Sequence, residues 1–370
     1  MRVGVPREIK DHEDRVGLVP SSVAELVRHG HAVQIERGAG QGSGLDDEQY
    51  VAAGATIVAD VDELFATNEL IVKVKEPLAP ERKRLRRGQV LFTYLHLAPD
   101  REQTVDLLAS GVTAIAYETV TSPSGGLPLL TPMSEIAGRL APQVGAHYLE
   151  RAQGGRGVLL GGVPGVPPAE VVVLGGGVSG THAATIALGM GATVTVVDRS
   201  AEVLRRVAAQ MPTARTIFST HDAVSQILRR ADLVIGAVLV PGAAAPKIVT
   251  RDMVMAMKTG SVIVDIAIDQ GGCCETSRPT SHSHPVYLEE GVTHYCVTNM
   301  PGSVSRTSTF ALNNATLPFA LALADKGWRK AIADDVHLRN GLNVHDGKLT
   351  CRPVAEALGL PFTAVEALMA

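Results

Sequence analysis

Short apolar runs alternate with helix-like segments along the first 120 residues. Five runs rich in β-branched or aromatic residues, each bounded by glycine or proline, predict strands. They are residues 3–5, 32–35, 70–74, 90–94 and 113–117. The segments between them carry helix signals, such as Asp100 as a cap at the start of one segment and Gly111 after its end. This alternation predicts a mostly parallel sheet with helices on both faces.

The same alternation begins again near residue 170. Strands are predicted at residues 171–174, 193–197, 216–218, 233–237 and 261–266, with helices at 178–189, 201–210, 222–230 and 250–257. These strands are almost entirely apolar, so we expect them to be buried on both faces. At about 150 residues per domain, the 370 residues favour two domains.

Two long helical segments separate the alternating regions. Residues 133–151 predict a helix that Pro142 should kink or break, and residues 307–326 predict an apolar helix that ends before Gly327. Beyond it we predict one helix at 353–358 and no strands, so the tail should return to the first domain. The prediction is an α/β fold of two doubly wound Rossmann-like domains joined by long hinge helices. Residues 1–130 and 306–370 form the first, and residues 131–305 form the second.

Charge and composition exclude several classes of protein. The 34 basic and 38 acidic residues give a net charge of −4, which argues against a nucleic-acid binder. The longest apolar run, residues 233–246, is too short to span a bilayer and contains Pro241. Four cysteines in this length do not make a disulfide scaffold. With no apolar secretory segment at the N-terminus, we expect a cytoplasmic protein without a membrane partner.

A glycine motif carries the strongest chemical signal. Gly175, Gly177 and Gly180 match G-x-G-x-x-G directly after a predicted strand and at the start of a helix. In this setting the glycines allow a tight turn, approach of a pyrophosphate and close packing of helix on strand. The next strand ends in Asp198, which is placed to accept the ribose hydroxyls and favours NAD over NADP, although Arg199 could partly offset the repulsion of a 2′-phosphate. A glycine-rich turn without a ligand is the alternative.

Other candidates follow predicted strands. Lys75 and His96 stand at two strand ends, and Arg15 lies in the loop after the first strand. Cations beside a histidine suit a small anionic substrate, although such side chains can also be solvated or structural. Asp269 follows the last predicted strand before Gly271-Gly272, where it is either a site residue or part of an Asx turn. Asp265, inside the apolar run, needs a partner if it is buried.

Together these segments resemble the NAD-dependent alanine dehydrogenases along nearly the whole chain. The matching segments are residues 1–8, 15–16, 73–77, 95–97, 132–135, 154–157, 265–272 and 299–301. The resemblance implies reversible oxidative deamination of L-alanine with NAD and water to pyruvate, ammonium and NADH. It also implies a homo-oligomer, commonly a hexamer.

The resemblance assigns roles residue by residue. Arg15 and Lys75 would hold the substrate, His96 would be the general acid and base, and Asp269 would orient water or the imine nitrogen. The NAD site would be lined by residues of the second domain: Ser134, Gly175, Gly177, Val178, Gly180, Asp198, Ser219, Val238, Leu239, Ile266, Ala267, Ile268, Asp269, Arg278, Met300, Pro301 and Ser303.

The sequence also departs from the family. Some members carry a magnesium site of Glu and His on the helix near Asp325, where this chain has Ala322 and Lys326, so no metal is expected there. A basic residue that follows the ribose aspartate in some members is Val203 here.

Two other functions stay open. The NAD-binding component of a proton-pumping transhydrogenase has the same fold, but the segment from Pro132 to Ile136 lacks that component's Pro-Arg-x-Ser-Arg-Ala-Gln loop. A non-catalytic NAD sensor would keep the glycines and Asp198 without needing His96 or Asp269.

Overall fold

The computed structural model describes residues 1–238 and 245–369. It divides into two compact units, a first unit of Met1–Met133 with Val304–Ala370 and a second unit of Ser134–Ser303. Within the described residues, no helix has the length and apolar character needed to cross a membrane.

The first unit begins with six strands and five helices. The strands are β1 (Arg2–Val5), β2 (Ala32–Glu36), β3 (Thr56–Val58), β4 (Leu70–Val72), β5 (Val90–Thr93) and β6 (Thr113–Ala116). The helices are α1 (Pro20–Arg28), α2 (Asp47–Ala52), α3 (Val61–Thr67), α4 (Ala79–Arg82) and α5 (Arg101–Ser110). The caps predicted for α5 are present, because Asp100 accepts from the Gln103 amide and Gly111 has φ of 70°.

The chain enters the second unit in α6 (Thr131–Tyr148). The strands that follow are β7 (Glu170–Leu174), β8 (Thr193–Asp198), β9 (Arg215–Phe218), β10 (Leu233–Gly236), β11 (Val262–Asp265), β12 (Val286–Glu289) and β13 (Val292–Tyr295). The helices are α7 (Val178–Gly189), α8 (Ala201–Gln210), α9 (His221–Leu228) and α10 (Arg251–Met255). The chain then returns to the first unit with α11 (Ser305–Asp334), α12 (Val336–Arg339), β14 (Leu342–His345), β15 (Lys348–Leu349), α13 (Arg352–Leu358) and α14 (Glu366–Met369).

Both sheets have the doubly wound strand order. The first is β15-β14-β6-β5-β4-β1-β2-β3 and the second is β12-β13-β11-β10-β7-β8-β9. In each, six parallel strands run in the order 3-2-1-4-5-6, and the strand order reverses beside the first strand. The central strands are buried on both faces. The predicted α/β fold class is therefore confirmed.

The C-terminal tail corrects one prediction, because it contains strands. β14 pairs antiparallel with β6 and with β15, and so extends the first sheet. The hairpin turn consists of Asp346 (φ 48°) and Gly347 (φ 77°), an Asp-Gly pair of the kind that closes two-residue hairpins.

In the two long helices, the break that Pro142 could cause is absent, and the end at Gly327 is present. Helix α6 continues through Pro142. It packs closely on both sides of the proline, since a Cβ at Gly138 would lie 2.2 Å from the Ser179 carbonyl oxygen and a Cβ at Gly145 would lie 2.5 Å from the Leu233 side chain. The predicted end of the second long helix at Gly327 is confirmed, because Gly327 has non-helical φ of 73° and ψ of 152°, and a further helical segment follows across this kink within α11.

Candidate active site

Three strands of the first unit bring the predicted substrate residues to one edge of the sheet. Arg15 follows β1, Lys75 follows β4 and His96 follows β5, and these three strands are neighbours in the order β5-β4-β1. The boundary between β4 and β1 is the switch point of the doubly wound sheet, where small molecules bind outside the carboxyl ends. The three side chains therefore lie around the position that the fold favours for a ligand.

Arg15 is buried and held by a carboxylate that the sequence did not reveal. Its Nε and one terminal nitrogen donate to the two oxygens of Glu13, each at 2.6 Å. Its other terminal nitrogen lies 3.0 Å from the Met133 sulfur. Burial on its own would lower the pKa of Arg15, but the hydrogen bonds and the charge of Glu13 raise it, so the guanidinium is a fixed cation.

Lys75 is a different kind of cation. Among the described residues, its ammonium group has no hydrogen-bond or ion-pair partner. Burial lowers the pKa of Lys75, and the positive charges of Arg15 and Lys10 lower it further against the attraction of Glu76. An unpaired, half-buried ammonium beside a second cation is ready to receive an anionic ligand.

A buried ion network fixes the backbone that carries Lys75. Lys73 is fully buried, with its ammonium nitrogen 3.0 Å from Glu8 and 2.6 Å from Glu81. The other oxygen of Glu8 accepts from the Val74 amide at 2.7 Å and from the Lys75 amide at 3.3 Å. Lys73 is therefore structural, whereas the Lys75 ammonium group takes no part in this network.

His96 lies just beyond β5 with a φ of 50°. Its imidazole stacks on the Tyr94 ring at 5.7 Å with 7° between the planes, and the side chain is 42% exposed. Both the Leu95 and His96 amides donate to the Glu118 carboxylate. The histidine is thus exposed enough to meet a ligand while its backbone is anchored.

In the second unit, the glycine turn has the geometry of a phosphate cradle. Gly175 has φ of 98°, and a Cβ at Gly180 would lie 1.8 Å from the Gly175 carbonyl oxygen, so neither position tolerates a side chain. A Cβ at Gly177, in contrast, would meet nothing within 4 Å. The space in front of Gly177 and the amide groups that begin α7 at Val178 fit a pyrophosphate.

Asp198 ends β8 beside this turn. One carboxylate oxygen accepts from the Gly176 amide at 2.8 Å and the other from the Ser200 amide at 2.8 Å. The carboxylate is held by two amides and keeps further lone pairs, so it fits a pair of ribose hydroxyls. Arg206 also reaches the turn, donating to the Gly176 carbonyl at 2.6 Å.

Several other predicted cofactor residues follow strands of the same sheet. Ser219 comes after β9, Val238 after β10, and Ile266, Ala267, Ile268 and Asp269 form a 3-10 helix with Gln270 after β11. Met300, Pro301 and Ser303 belong to a second 3-10 helix, Met300–Val304, and Ser134 lies in α6. The guanidinium of Arg278 stacks on Tyr287 at 3.9 Å and pairs with Glu289 at 3.7 Å. Leu239 lies outside the described residues.

Asp265 finds the partners that its burial requires. It accepts from the Ala267 amide at 3.1 Å, the Cys273 amide at 2.9 Å and the Ser277 hydroxyl at 2.6 Å. Its side chain and the thiols of Cys273 and Cys274 lie within 4.8 Å of one another. The pKa of Cys273 is well above its usual range because of the hydrogen bond to Cys274 and burial.

The α/β fold with a Rossmann-like second unit is typical of oxidoreductases that use a dinucleotide. Residues 4–137 match the family described as Alanine dehydrogenase/PNT, N-terminal domain, and residues 141–352 match its C-terminal domain. The chain belongs to this family, which confirms the resemblance in the sequence.

Individual relatives agree with the family match. The alanine dehydrogenase of Halomonas elongata is 60% identical over 373 residues, covering 100% of both chains. A solved L-alanine dehydrogenase has a TM-score of 0.95 at 52% identity, covering 97% of this chain and 99% of the other. A transhydrogenase from Sinorhizobium meliloti has a TM-score of 0.81 at 26% identity, covering 94% and 98%.

Proposed function

We propose that this enzyme catalyses the NAD-dependent, reversible oxidative deamination of L-alanine to pyruvate and ammonium. The observation that carries the proposal is the placement of Arg15, Lys75 and His96 in the loops that follow three neighbouring strands. The 60% identity to the Halomonas elongata alanine dehydrogenase over the whole chain supports it.

NAD would be held by the second unit. Gly175, Gly177, Val178 and Gly180 would receive its pyrophosphate, and Asp198 its ribose hydroxyls. The remaining lining would come from Ser134, Ser219, Val238, Leu239, Ile266, Ala267, Ile268, Asp269, Arg278, Met300, Pro301 and Ser303. When bound, the nicotinamide accepts the hydride from the substrate α-carbon, which is chemistry that side chains do not supply.

The side chains of the first unit bind the substrate and move the proton. Arg15, a fixed cation, holds the carboxylate, and Lys75 holds the keto oxygen of pyruvate. His96 takes the proton released as water adds to the imine carbon, and returns it in the reverse direction. Asp269 of the second unit orients the water or the imine nitrogen and balances its charge.

The first experiment is NADH oxidation with pyruvate and ammonium, compared with glyoxylate and longer 2-oxo acids. We expect turnover with pyruvate, and we expect His96→Ala to abolish turnover while NADH binding stays nearly unchanged. The absence of turnover with every keto acid would refute the proposal.

A second candidate is hydride transfer to NADP on a partner chain, which the likeness to the Sinorhizobium meliloti transhydrogenase favours. The same assay separates the two. A transhydrogenase component would oxidise NADH only when an NADP-binding partner is added, and keto acids would have no effect.

We also propose a homo-oligomer, most simply the hexamer implied by the family resemblance, and a cytoplasmic location.

Support for self-association comes from one loop of the second unit. Its side chains Leu159, Val163 and Val166 are 66%, 53% and 58% exposed. Beside this loop lies a groove of about 700 Å³ lined by His147, Leu160 and Met190 among others. Apolar side chains clustered in this way commonly mark a protein interface. Sedimentation velocity measures the assembly directly, and a monomer would refute this part of the proposal.

A further inference from the structure

The backbone at His96 has a conformation that few side chains adopt. Its φ of 50° lies in the left-handed region, where Cβ crowds the backbone of any residue other than glycine. A strained backbone at a site residue persists only when the surroundings hold it in place. The hydrogen-bond partners of this segment therefore matter for the position of the imidazole.

Glu118 is the group that holds the backbone. It lies in a 3-10 helix, Tyr117–Thr119, directly after β6, the strand beside β5. One carboxylate oxygen accepts from the His96 amide at 2.6 Å and from the Leu95 amide at 3.1 Å, and the other oxygen lies 3.2 Å from the Leu95 amide. Two successive amides directed at one anion form charge-assisted hydrogen bonds, which are stronger than neutral ones.

The imidazole itself is restrained on a second side. The Tyr94 ring lies parallel to it, and the Tyr94 hydroxyl donates to the Leu129 carbonyl, which fixes the ring. The Nδ1 atom of His96 lies 4.0 Å from Glu118 Oε1, beyond hydrogen-bond distance. Glu118 therefore acts mainly through the backbone, and Tyr94 acts on the ring face.

We propose that Glu118 is a positioning residue that holds the strained backbone at His96 and thereby aims the imidazole at the substrate. This inference rests on the proposed function, because it assumes that His96 transfers the proton. Glu118 itself does not need to touch the substrate. Its hydrogen bonds to the two amides fix the position of the His96 Cα and therefore of the imidazole. A displacement of about 1 Å in such a group can lower the rate about 100-fold.

The substitutions separate the hydrogen bonds from the charge. Glu118→Gln keeps a carbonyl oxygen that can accept from the amides but removes the negative charge. Glu118→Leu removes every acceptor and leaves the Leu95 and His96 amides unpaired. We expect kcat for alanine to fall about 10-fold in the first variant and about 100-fold in the second. KM and the Kd for NADH should change by less than about threefold, since both depend on contacts that remain.

A matched control is Glu69→Gln. Glu69 also accepts a backbone amide in the first unit, from Arg2 at 2.8 Å, but at the amino end of the sheet. Its kinetics should match those of the unsubstituted enzyme. If Glu118→Leu left kcat unchanged, or if Glu118→Gln were no better than Glu118→Leu, the proposal would be overturned.

A stability cycle tests the same idea without catalysis. Removing Glu118 from the original chain lets the strained backbone at His96 relax, which offsets part of the lost hydrogen-bond energy, whereas glycine adopts positive φ without strain and has none to release. We therefore expect Glu118→Leu to lower the urea midpoint more in the His96→Gly background than in the original chain. Equal losses in both backgrounds would overturn the positioning role. Because this cycle needs no substrate, it still applies if the enzyme does not act on alanine, and it keeps the two failures distinct.

Discussion

Replacing Lys73 with methionine removes the cation that separates two buried carboxylates. Lys73 is fully buried, and the Glu8 and Glu81 side chains that face it are only 2% and 4% exposed. Methionine fills a similar volume without charge, so the substitution tests the electrostatics of the site more than its packing. The network was not visible in the sequence, where Lys73 resembles a second strand-end cation like Lys75.

The expected cost comes from the burial. Removing one partner of a buried ion pair costs about 3–5 kcal/mol, because the remaining charge is left without compensation. Domains are stable by only about 5–15 kcal/mol, so the loss should be a large part of the stability of the first unit. The triple variant Glu8→Gln/Lys73→Met/Glu81→Gln should recover part of the lost stability, because it removes the two buried carboxylates that Lys73→Met leaves without a counter-charge. The glutamine side chain introduced at position 8 still has an oxygen that can accept from the Val74 amide.

The pH dependence gives a second test with a definite sign. Burial raises the pKa of Glu8, and Lys73 is the strongest influence that lowers it. Without Lys73 the folded chain binds a proton at Glu8 more tightly than the unfolded chain does, so stability falls as the pH rises through the range between the two pKa values. The deficit of the variant should therefore be larger near about pH 8 than near about pH 5.

Urea unfolding followed by tryptophan fluorescence is the measurement. Trp328 is the only tryptophan in the sequence and lies in the first unit, with its ring 4.5 Å from that of His345, so its signal reports this unit. The control is Lys330→Met, whose ion pair with Asp334 at 3.3 Å is exposed and should be worth less than about 1 kcal/mol. Equal losses for the two variants, or a deficit that shrinks with rising pH, would refute the reasoning.

Three further predictions concern the binding sites. Gly180→Ala should abolish NADH binding and lower the thermal midpoint of unfolding, because its Cβ would lie 1.8 Å from the Gly175 carbonyl oxygen. Gly177→Ala, whose Cβ meets nothing within 4 Å, should keep the thermal midpoint and lose only NADH affinity in a fluorescence titration. Asp198→Ala should weaken NAD binding by about 10- to 100-fold, the worth of a charge-assisted hydrogen bond, and relax the preference against NADP; unchanged kinetics would count against the ribose contact. Pyruvate, as the product, should inhibit alanine oxidation until Lys75 loses its proton at alkaline pH, because burial and nearby cations lower the pKa of Lys75. In Lys75→Arg this loss of inhibition should move to higher pH, since arginine stays charged. The same pH dependence in both proteins would exclude Lys75 as the titrating group.

Sequence analysis predicts best the local features whose residues all lie in one short segment of the chain. The glycine turn and Asp198 stand in the order strand, turn, helix, strand, and the steric requirement for glycine at Gly175 and Gly180 depends on that order alone. Gly180 is required because the helix passes the strand within van der Waals contact. Lys75 and His96 could be proposed for a related reason, since the end of a parallel strand is recognisable from its own residues.

The acids that support these residues could not be predicted in this way. Glu8 meets Lys73 across 65 positions and Glu118 meets His96 across 22, and both pairings exist only because of the strand order of the sheet. Each glutamate alone resembles an exposed charge. The C-terminal hairpin is a different case, because Asp346-Gly347 between two short strands is a usable turn signal. Strands β14 and β15 are so short that this turn is their main evidence in the sequence.

The two sheets share one strand order, so their proposed ligands must be distinguished by the loop between the first strand and its helix. In the second unit only three residues separate β7 from α7, and all three are glycines, so the start of the helix is brought directly to a phosphate. In the first unit fourteen residues separate β1 from α1. That longer loop carries Arg15 with its partner Glu13. The anion-binding group of the first unit is therefore a paired guanidinium suited to a single carboxylate, where the second unit uses the start of a helix. The same α/β framework therefore supports a dinucleotide site in one unit and a small-anion site in the other, and the difference lies in the length and charge of one loop.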